Sequence, residues 1–530
     1  MDRRTLLRGT LIGAGGMAAA NLLGCAPSPG PHVDLGPFDC GVASGVHGPG
    51  STVLWTRFAP GATAATELRW LVAADEGLST VVAAGTVVAE PDADGCAKVL
   101  VEDLEPGATY WYRFWVDGVT GPVGRTRTLP TTDAQLSSVR LGVASCQNYG
   151  AGYYAAWRAL AQTELDAVIF LGDYIYESDS RSPLDVRLDP VEARDLDSYR
   201  AKYRLYRSDP DLRAAHAAHP FAPIWDDHEV ANDYNRTTLI DEPDRAAAAY
   251  RAWFEYQPVM RTDGDRIHRG ARWGRLVDLA LLDTRQYRDP QPHVPGGGTL
   301  MVASTIGQPG RTAHLEGRTI LGSDQRDWLL DRWGEAQGDG VGWKLVGNQV
   351  MFSPIRLVDL DEPALRQLDP TLPHNAGVYA NFDDWTGYMS ERDKLTDFLR
   401  SESIGGVGFL TGDIHAFFQS EVIEDYDDSA SPTVAQEFVC GSVSSRGVDF
   451  AGDLAPMLAD GTRTLRPRFR HADLARRGFG IVECTPERTR VGFHTVDALR
   501  RDTAAAAAAA RRRIVFDWEA GGHEVTVTRN

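Results

Sequence analysis

The chain has 530 residues, 43% hydrophobic and 24% charged, enough for two or three soluble domains around at least one large core. Lysine and arginine number 54 against 73 aspartates and glutamates, a net charge of −19, which argues against a nucleic-acid partner or attachment to anionic lipid through the bulk surface. Six cysteines in this length exclude a disulfide-built scaffold.

The first element is an export signal. Asp2-Arg3-Arg4-Thr5-Leu6-Leu7-Arg8 has twin arginines, two leucines and a further base, followed by a mildly apolar Gly/Ala-rich run to Leu23. This predicts a twin-arginine signal, with a run too short and weak to span a membrane. The run ends in Leu22-Leu23-Gly24-Cys25, similar to a bacterial lipobox, so residues 1–25 are read as signal and Cys25 as a lipidation candidate. Plain cleavage and release is the alternative. Pro27, Pro29 and Pro31 mark residues 26–34 as a tether. The expected location is therefore exported: periplasmic, extracellular or membrane-anchored as a lipoprotein, after passage through the twin-arginine machinery.

Residues 35–130 read as short strands rich in aromatic and β-branched residues, at 53–57, 67–72 and 109–115. Pro106-Gly107 followed by Tyr110 looks like the turn and tyrosine corner of a fibronectin- or immunoglobulin-like β-sandwich, and clustered ligand residues are absent from this segment. A polar linker at 131–138 precedes strands alternating with helices, so 137–500 is predicted to be an α/β catalytic domain. The alanine run at 504–510 and the arginines after it give residues 501–530 the look of a tail. Cys440 and Cys484 both lie in strand-like segments, either paired or as buried thiols.

Chemistry gathers at strand ends. Residues 139–144 run into Cys146, residues 166–171 into Gly172-Asp173-Tyr174-Ile175-Tyr176-Glu177, and residues 221–225 into Asp226-Asp227-His228-Glu229 and Asn232-Asp233. Residues 343–347 run into Asn348, and 406–410 into Gly412-Asp413-Ile414-His415. Open α/β sheets bind ligands at the carboxyl ends of their strands. Each residue alone has a plainer role, as turn, cap or buried thiol. So many ionisable groups at consecutive strand ends need metal or counter-charge, since burying them bare costs several kcal/mol each.

Three of these segments, 172–177, 225–234 and 412–415, in this order, resemble the alkaline phosphatase D family of the calcineurin-like and purple-acid-phosphatase-like metallophosphoesterases. The likeness runs from the export signal to Arg477-Gly478-Phe479 near the C-terminus. It implies a multidomain chain, with a β-sandwich followed by two central sheets flanked by helices. The wider superfamily has a histidine where Asp413 stands, so oxygen replaces nitrogen and a hard cation such as Ca²⁺ is favoured there. The resemblance further implies Fe³⁺ on Cys146, Tyr176 and His415, with Asp173 bridging to one or two Ca²⁺ on Asp227, Asn232 and Asp413. His228 would protonate the leaving group after attack by metal-bound hydroxide, and Arg285 would clamp the phosphate, with a surface salt bridge as its plainer role. The expected activity is hydrolysis of phosphate monoesters and diesters. A phospholipase D-like diesterase using the same site is the alternative, and a non-catalytic exported binding lipoprotein the remote one. Tyr174 should face away from Tyr176 if the segment stays extended.

Overall fold

The computed structural model describes residues 36–180, 182–291, 317–372, 377–380, 383–426, 428, 430–447 and 468–529. The twin-arginine signal, the lipobox and the tether lie outside them.

Seven strands come first: β1 (Val42–Gly48), β2 (Ser51–Arg57), β3 (Thr66–Ala73), β4 (Val81–Ala89), β5 (Cys96–Val101), β6 (Thr109–Val116) and β7 (Val119–Arg127). They divide into two layers. β4-β3-β6-β7 is a four-stranded sheet, while β1, β2 and β5 form one end of a ten-stranded sheet. Leu54 of β2, Leu68 and Val72 of β3, and Tyr112 and Phe114 of β6 share one buried core between the layers. The Tyr110 hydroxyl accepts from the Glu105 N–H at 2.9 Å and ties down the turn before β6.

The central strands are β8 (Val139–Ala144), β9 (Ala167–Leu171), β10 (Pro220–Ile224), β11 (Arg269–Trp273), β12 (Val277–Leu281), β13 (Trp343–Asn348), the hairpin β14 (Ile355–Asp359) and β15 (Gly377–Ala380), and β16 (Val407–Thr411). They are followed by β17 (Phe417–Ile423), β18 (Thr433–Cys440), β19 (Phe469–Asp473), β20 (Arg477–Cys484), β21 (Arg488–Val496), β22 (Arg511–Glu519) and β23 (Val525–Arg529). The large sheet runs β23-β22-β21-β20-β8-β9-β10-β1-β2-β5, and a seven-stranded sheet runs β11-β12-β13-β16-β18-β17-β19. β8, β9 and β10 are parallel to one another, as are β12, β13, β16 and β18.

The two large sheets face each other, which explains their composition. Parallel strands covered on both sides read as unbroken apolar runs, and all five residues of β9 are buried. Its Ile169 and Leu171 face the second sheet, where a Cβ on Gly347 would meet Leu171 at 3.3 Å. Its Phe170 points outward to Trp157 of the helix Ala155–Ala161, with ring centroids 5.7 Å apart. The far face of the second sheet is covered by the helices Gly322–Gly338 and Met389–Ser401, through Leu329, Trp333, Leu395 and Leu399.

One expectation changes, and one open alternative is resolved. The segment predicted as a tail supplies β22 and β23, with Ile514, Phe516 and Trp518 buried in the main core. Trp518 meets Trp343 of the opposite sheet at 4.9 Å, a contact the neighbouring alanine run gives no sign of. Cys440 and Cys484 are separate buried thiols.

Candidate metal centre

The carboxyl ends of β8, β9 and β10 in one sheet meet those of β12, β13 and β16 in the other, and main-chain bonds fasten the loops together. The Cys146 N–H donates to Gly172 O and the Gln147 N–H to Asp173 O, both at 3.1 Å, and Gly412 N–H donates to Gln349 O at 3.0 Å. Gly172, at φ +102°, allows the closest approach, because a Cβ there would lie 2.4 Å from Asp226 Cβ. Cys146, Asp173, Asp413 and His415 have φ of 58°, 60°, 61° and 55°, four of the nine non-glycine residues with positive φ among the described residues. Left-handed backbone costs such residues roughly 1–3 kcal/mol each and gathers where side chains must be aimed.

One group consists of Cys146, Asp173 and His415, whose ligand atoms lie within 4.8 Å of one another. The Tyr176 hydroxyl joins it, donating to Asp173 Oδ2 at 2.8 Å and lying 3.0 Å from His415 Nε2. Ser445 Oγ donates to that hydroxyl at 2.7 Å. His415 Nδ1–H donates to Arg446 O at 2.7 Å, which fixes the tautomer and turns the Nε2 lone pair to the group.

The second group is acidic. Asp226, Asp227 and Asp413 offer oxygens within 4.8 Å of one another, and Asp227 also groups with Asp173 and His228. Arg285, fully buried, answers this charge. Its Nε–H donates to Asp226, Nη1 to Asp383 at 2.8 Å and Nη2 to Asp413 at 3.0 Å. Glu229 holds the loops from beneath, accepting from the N–H groups of Asp173, Tyr174 and Asp226 at 3.0, 2.5 and 2.8 Å. His228 lies tilted against Tyr176, ring centroids 4.1 Å apart, and donates from Nδ1 to Glu177 at 2.7 Å. Burial works against its protonation, but Asp227, Asp173 and Glu177 outweigh it and hold the imidazole well above its ordinary pKa.

This donor set fits cations. Asp173 Oδ1 and Asp226 Oδ2 are buried with no hydrogen-bond partner, an arrangement a carboxylate does not tolerate unless something positive faces it. Burial, then Asp173, pushes the Cys146 thiol well above its usual value, and the same two causes raise the Tyr176 phenol. A metal ion reverses that balance and ionises both. Thiolate, phenolate and imidazole at one end, with carboxylates alone at the other, describe a softer and a harder position.

A family model described as PhoD-like phosphatase matches residues 141–493, and one described as PhoD-like phosphatase, N-terminal domain, matches residues 24–130. Alkaline phosphatase D of Bacillus subtilis (strain 168) is 33% identical over 475 residues, covering 84% of this chain and 76% of that one. The chain belongs to the PhoD-like phosphatase family. It is a phosphoric ester hydrolase, and the grouped side chains could hold metal ions. A solved structure of PhoD superposes with a TM-score of 0.80 at 30% identity, covering 93% of this chain and 92% of that one. Purple acid phosphatase PPD1 from yellow lupin seeds, 10% identical with a TM-score of 0.52, shares the fold over 85% of this chain and 71% of its own.

Within this PhoD-like site the structure brings together Cys146, Asp173, Tyr176, Asp227, His228, Asp413 and His415. One other residue sits differently from its expected role. Arg285 is neither on the surface nor a free phosphate clamp: placed just beyond β12, it is enclosed by carboxylates that take up its N–H groups. Asn232 is exposed, and its N–H donates to Glu177 Oε1 at 3.0 Å. Asn348 is structural, donating to Val350 O at 2.5 Å and accepting from Trp385 at 3.2 Å. Sequence reasoning gave no role to Asp226, Glu177 or Glu229, although they stand inside the motifs that were recognised. Asp383 had no local signal at all. Tyr174 points into the helical layer, its hydroxyl 2.9 Å from His216 Nε2.

Proposed function

We propose that the chain is an exported phosphoesterase hydrolysing monoesters and diesters at a centre that holds Fe³⁺ and one or two Ca²⁺. Cys146, Asp173, Tyr176 and His415 would hold iron, and Asp227 and Asp413 calcium, with Asp173 between them. The observation that carries this reading is the unpartnered buried oxygen of Asp173, placed where the thiol–phenol–imidazole group meets the acidic one. When bound, the cations supply Lewis acidity for the phosphoryl oxygens and lower the pKa of the attacking water.

The chain's own residues supply the rest. Glu177 keeps His228 in orientation through Nδ1, which leaves Nε2 to pass a proton to the leaving alkoxide. Arg285 keeps the acidic carboxylates apart and partly neutralised, and the Arg446 carbonyl keeps His415 in one tautomer. Export rests on Arg3 and Arg4, and membrane attachment on Cys25.

The test is hydrolysis of p-nitrophenyl phosphate and bis(p-nitrophenyl) phosphate before and after chelation. Both should be cleaved, chelation should abolish cleavage, and His228→Asn should lower kcat by about a hundredfold at unchanged metal content. No cleavage of either ester by metal-replete protein would refute the proposal.

A further inference from the structure

The loop after β18, residues 442–446, supplies none of the proposed metal-holding residues, yet two of its residues touch three of them. The Ser445 N–H donates to Cys146 O at 3.2 Å, and the Arg446 carbonyl accepts from His415 Nδ1–H at 2.7 Å. The Ser445 hydroxyl lies 2.7 Å from that of Tyr176. The loop is itself held in place. Arg477 donates from Nε to the carbonyls of Ser444 and Ser445 at 3.0 and 3.2 Å. The Arg446 guanidinium donates to Ser182 Oγ at 2.8 Å and to Asp185 at 2.7 Å.

Ser445 is buried, and its hydroxyl has one proton to give. Its oxygen accepts from the Asn148 N–H at 3.0 Å, a group that can only donate. At the other end stands Asp173 Oδ2, which takes the Tyr176 proton at 2.8 Å, since an ionised carboxylate can only accept. Both ends of the chain therefore fix its direction: Asn148 N–H to Ser445, Ser445 O–H to Tyr176, Tyr176 O–H to Asp173.

Once Tyr176 is a phenolate, its bond to Asp173 has no proton left. His415 offers none either, because its proton is on Nδ1 and its Nε2, 3.0 Å from the Tyr176 oxygen, carries a lone pair. Among the described residues, the Ser445 hydroxyl is then the donor that remains on that oxygen.

We propose that Ser445 is a positioning residue of the metal centre. It holds the Tyr176 phenolate through this hydrogen bond and so sets how much electron density the oxygen gives to a ferric ion. The inference rests on the iron reading above. Hydrogen bonds to charged oxygens are the strong ones, and they draw electron density from the acceptor. Without this one the phenolate donates more strongly, which moves a tyrosinate charge-transfer band to longer wavelength.

The test compares wild type, Ser445→Ala and Ser445→Thr, each purified with its metal, by visible absorption, resonance Raman of the tyrosinate C–O vibration and iron loss to a chelator. The alanine variant should absorb at longer wavelength and lose iron about tenfold faster, and threonine should restore both by returning the hydroxyl. The C–O vibration should shift in D₂O for the wild type and stay in place for the alanine variant. The wild-type half of that measurement stands even where the alanine variant fails to fold. An alanine variant with the wild-type band would overturn the role, and so would faster iron loss at an unchanged band, which packing alone would produce. A wild-type vibration unmoved by D₂O would overturn it as well. Wild-type protein with no tyrosinate band would instead refute the iron reading, and this inference with it.

Discussion

Glu229 shows how much of the site is held by residues that do not touch the substrate. One carboxylate accepts three backbone N–H groups from the loops after β9 and β10, fixing Asp173 and Asp226 together. Glu229→Gln replaces one acceptor oxygen with an NH₂ that faces those same donors. Stability should fall by about 1–3 kcal/mol in denaturant titration, and the purified protein should retain less metal. Unchanged stability and metal content would show that the loops are held elsewhere. The proposed ligands were legible because each stands at a strand end in a short motif. Glu229 and Glu177 stood in the same motifs, yet nothing local separates a ligand carboxylate from one that accepts backbone N–H groups. Arg285 was misjudged for a related reason: its burial depends on Asp383 and Asp413, 98 and 128 residues further on.

Among the elements, the buried parallel strands were the easiest to read, since cover on both faces leaves only apolar residues in β9 and β10. β22 was missed. Its inward residues Ile514, Phe516 and Trp518 alternate as a strand should, but they follow a run of alanines and three arginines that reads as surface. Nor does sequence reveal that β1 pairs in parallel with β10, at Ser44–Pro220 and Gly45–Phe221, making the N-terminal strands part of the main sheet. Trp518→Ala tests the weight of the C-terminal strands. Buried between Trp343 and the rest of the core, it should cost about 3–5 kcal/mol on unfolding. A loss below about 1 kcal/mol would return this segment to the standing of a tail.

For the whole molecule, acidity and cation dependence belong together. A chain of net charge −19 repels phosphate esters unless its site carries positive charge, and Arg285 alone is consumed by carboxylates. The proposed route out of the cytoplasm accords with this, since twin-arginine export carries proteins already folded, with their metal in place. Arg3→Lys/Arg4→Lys should leave the protein in the cytoplasmic fraction, and export of that variant would remove the signal reading. The central claim is the iron-holding group of Cys146, Asp173, Tyr176 and His415, and metal analysis paired with the visible spectrum tests it most directly. The account predicts iron in the purified protein and a tyrosinate charge-transfer band that disappears in Tyr176→Phe and persists in Tyr174→Phe. A colourless, fully active protein containing calcium or zinc but no iron would contradict it.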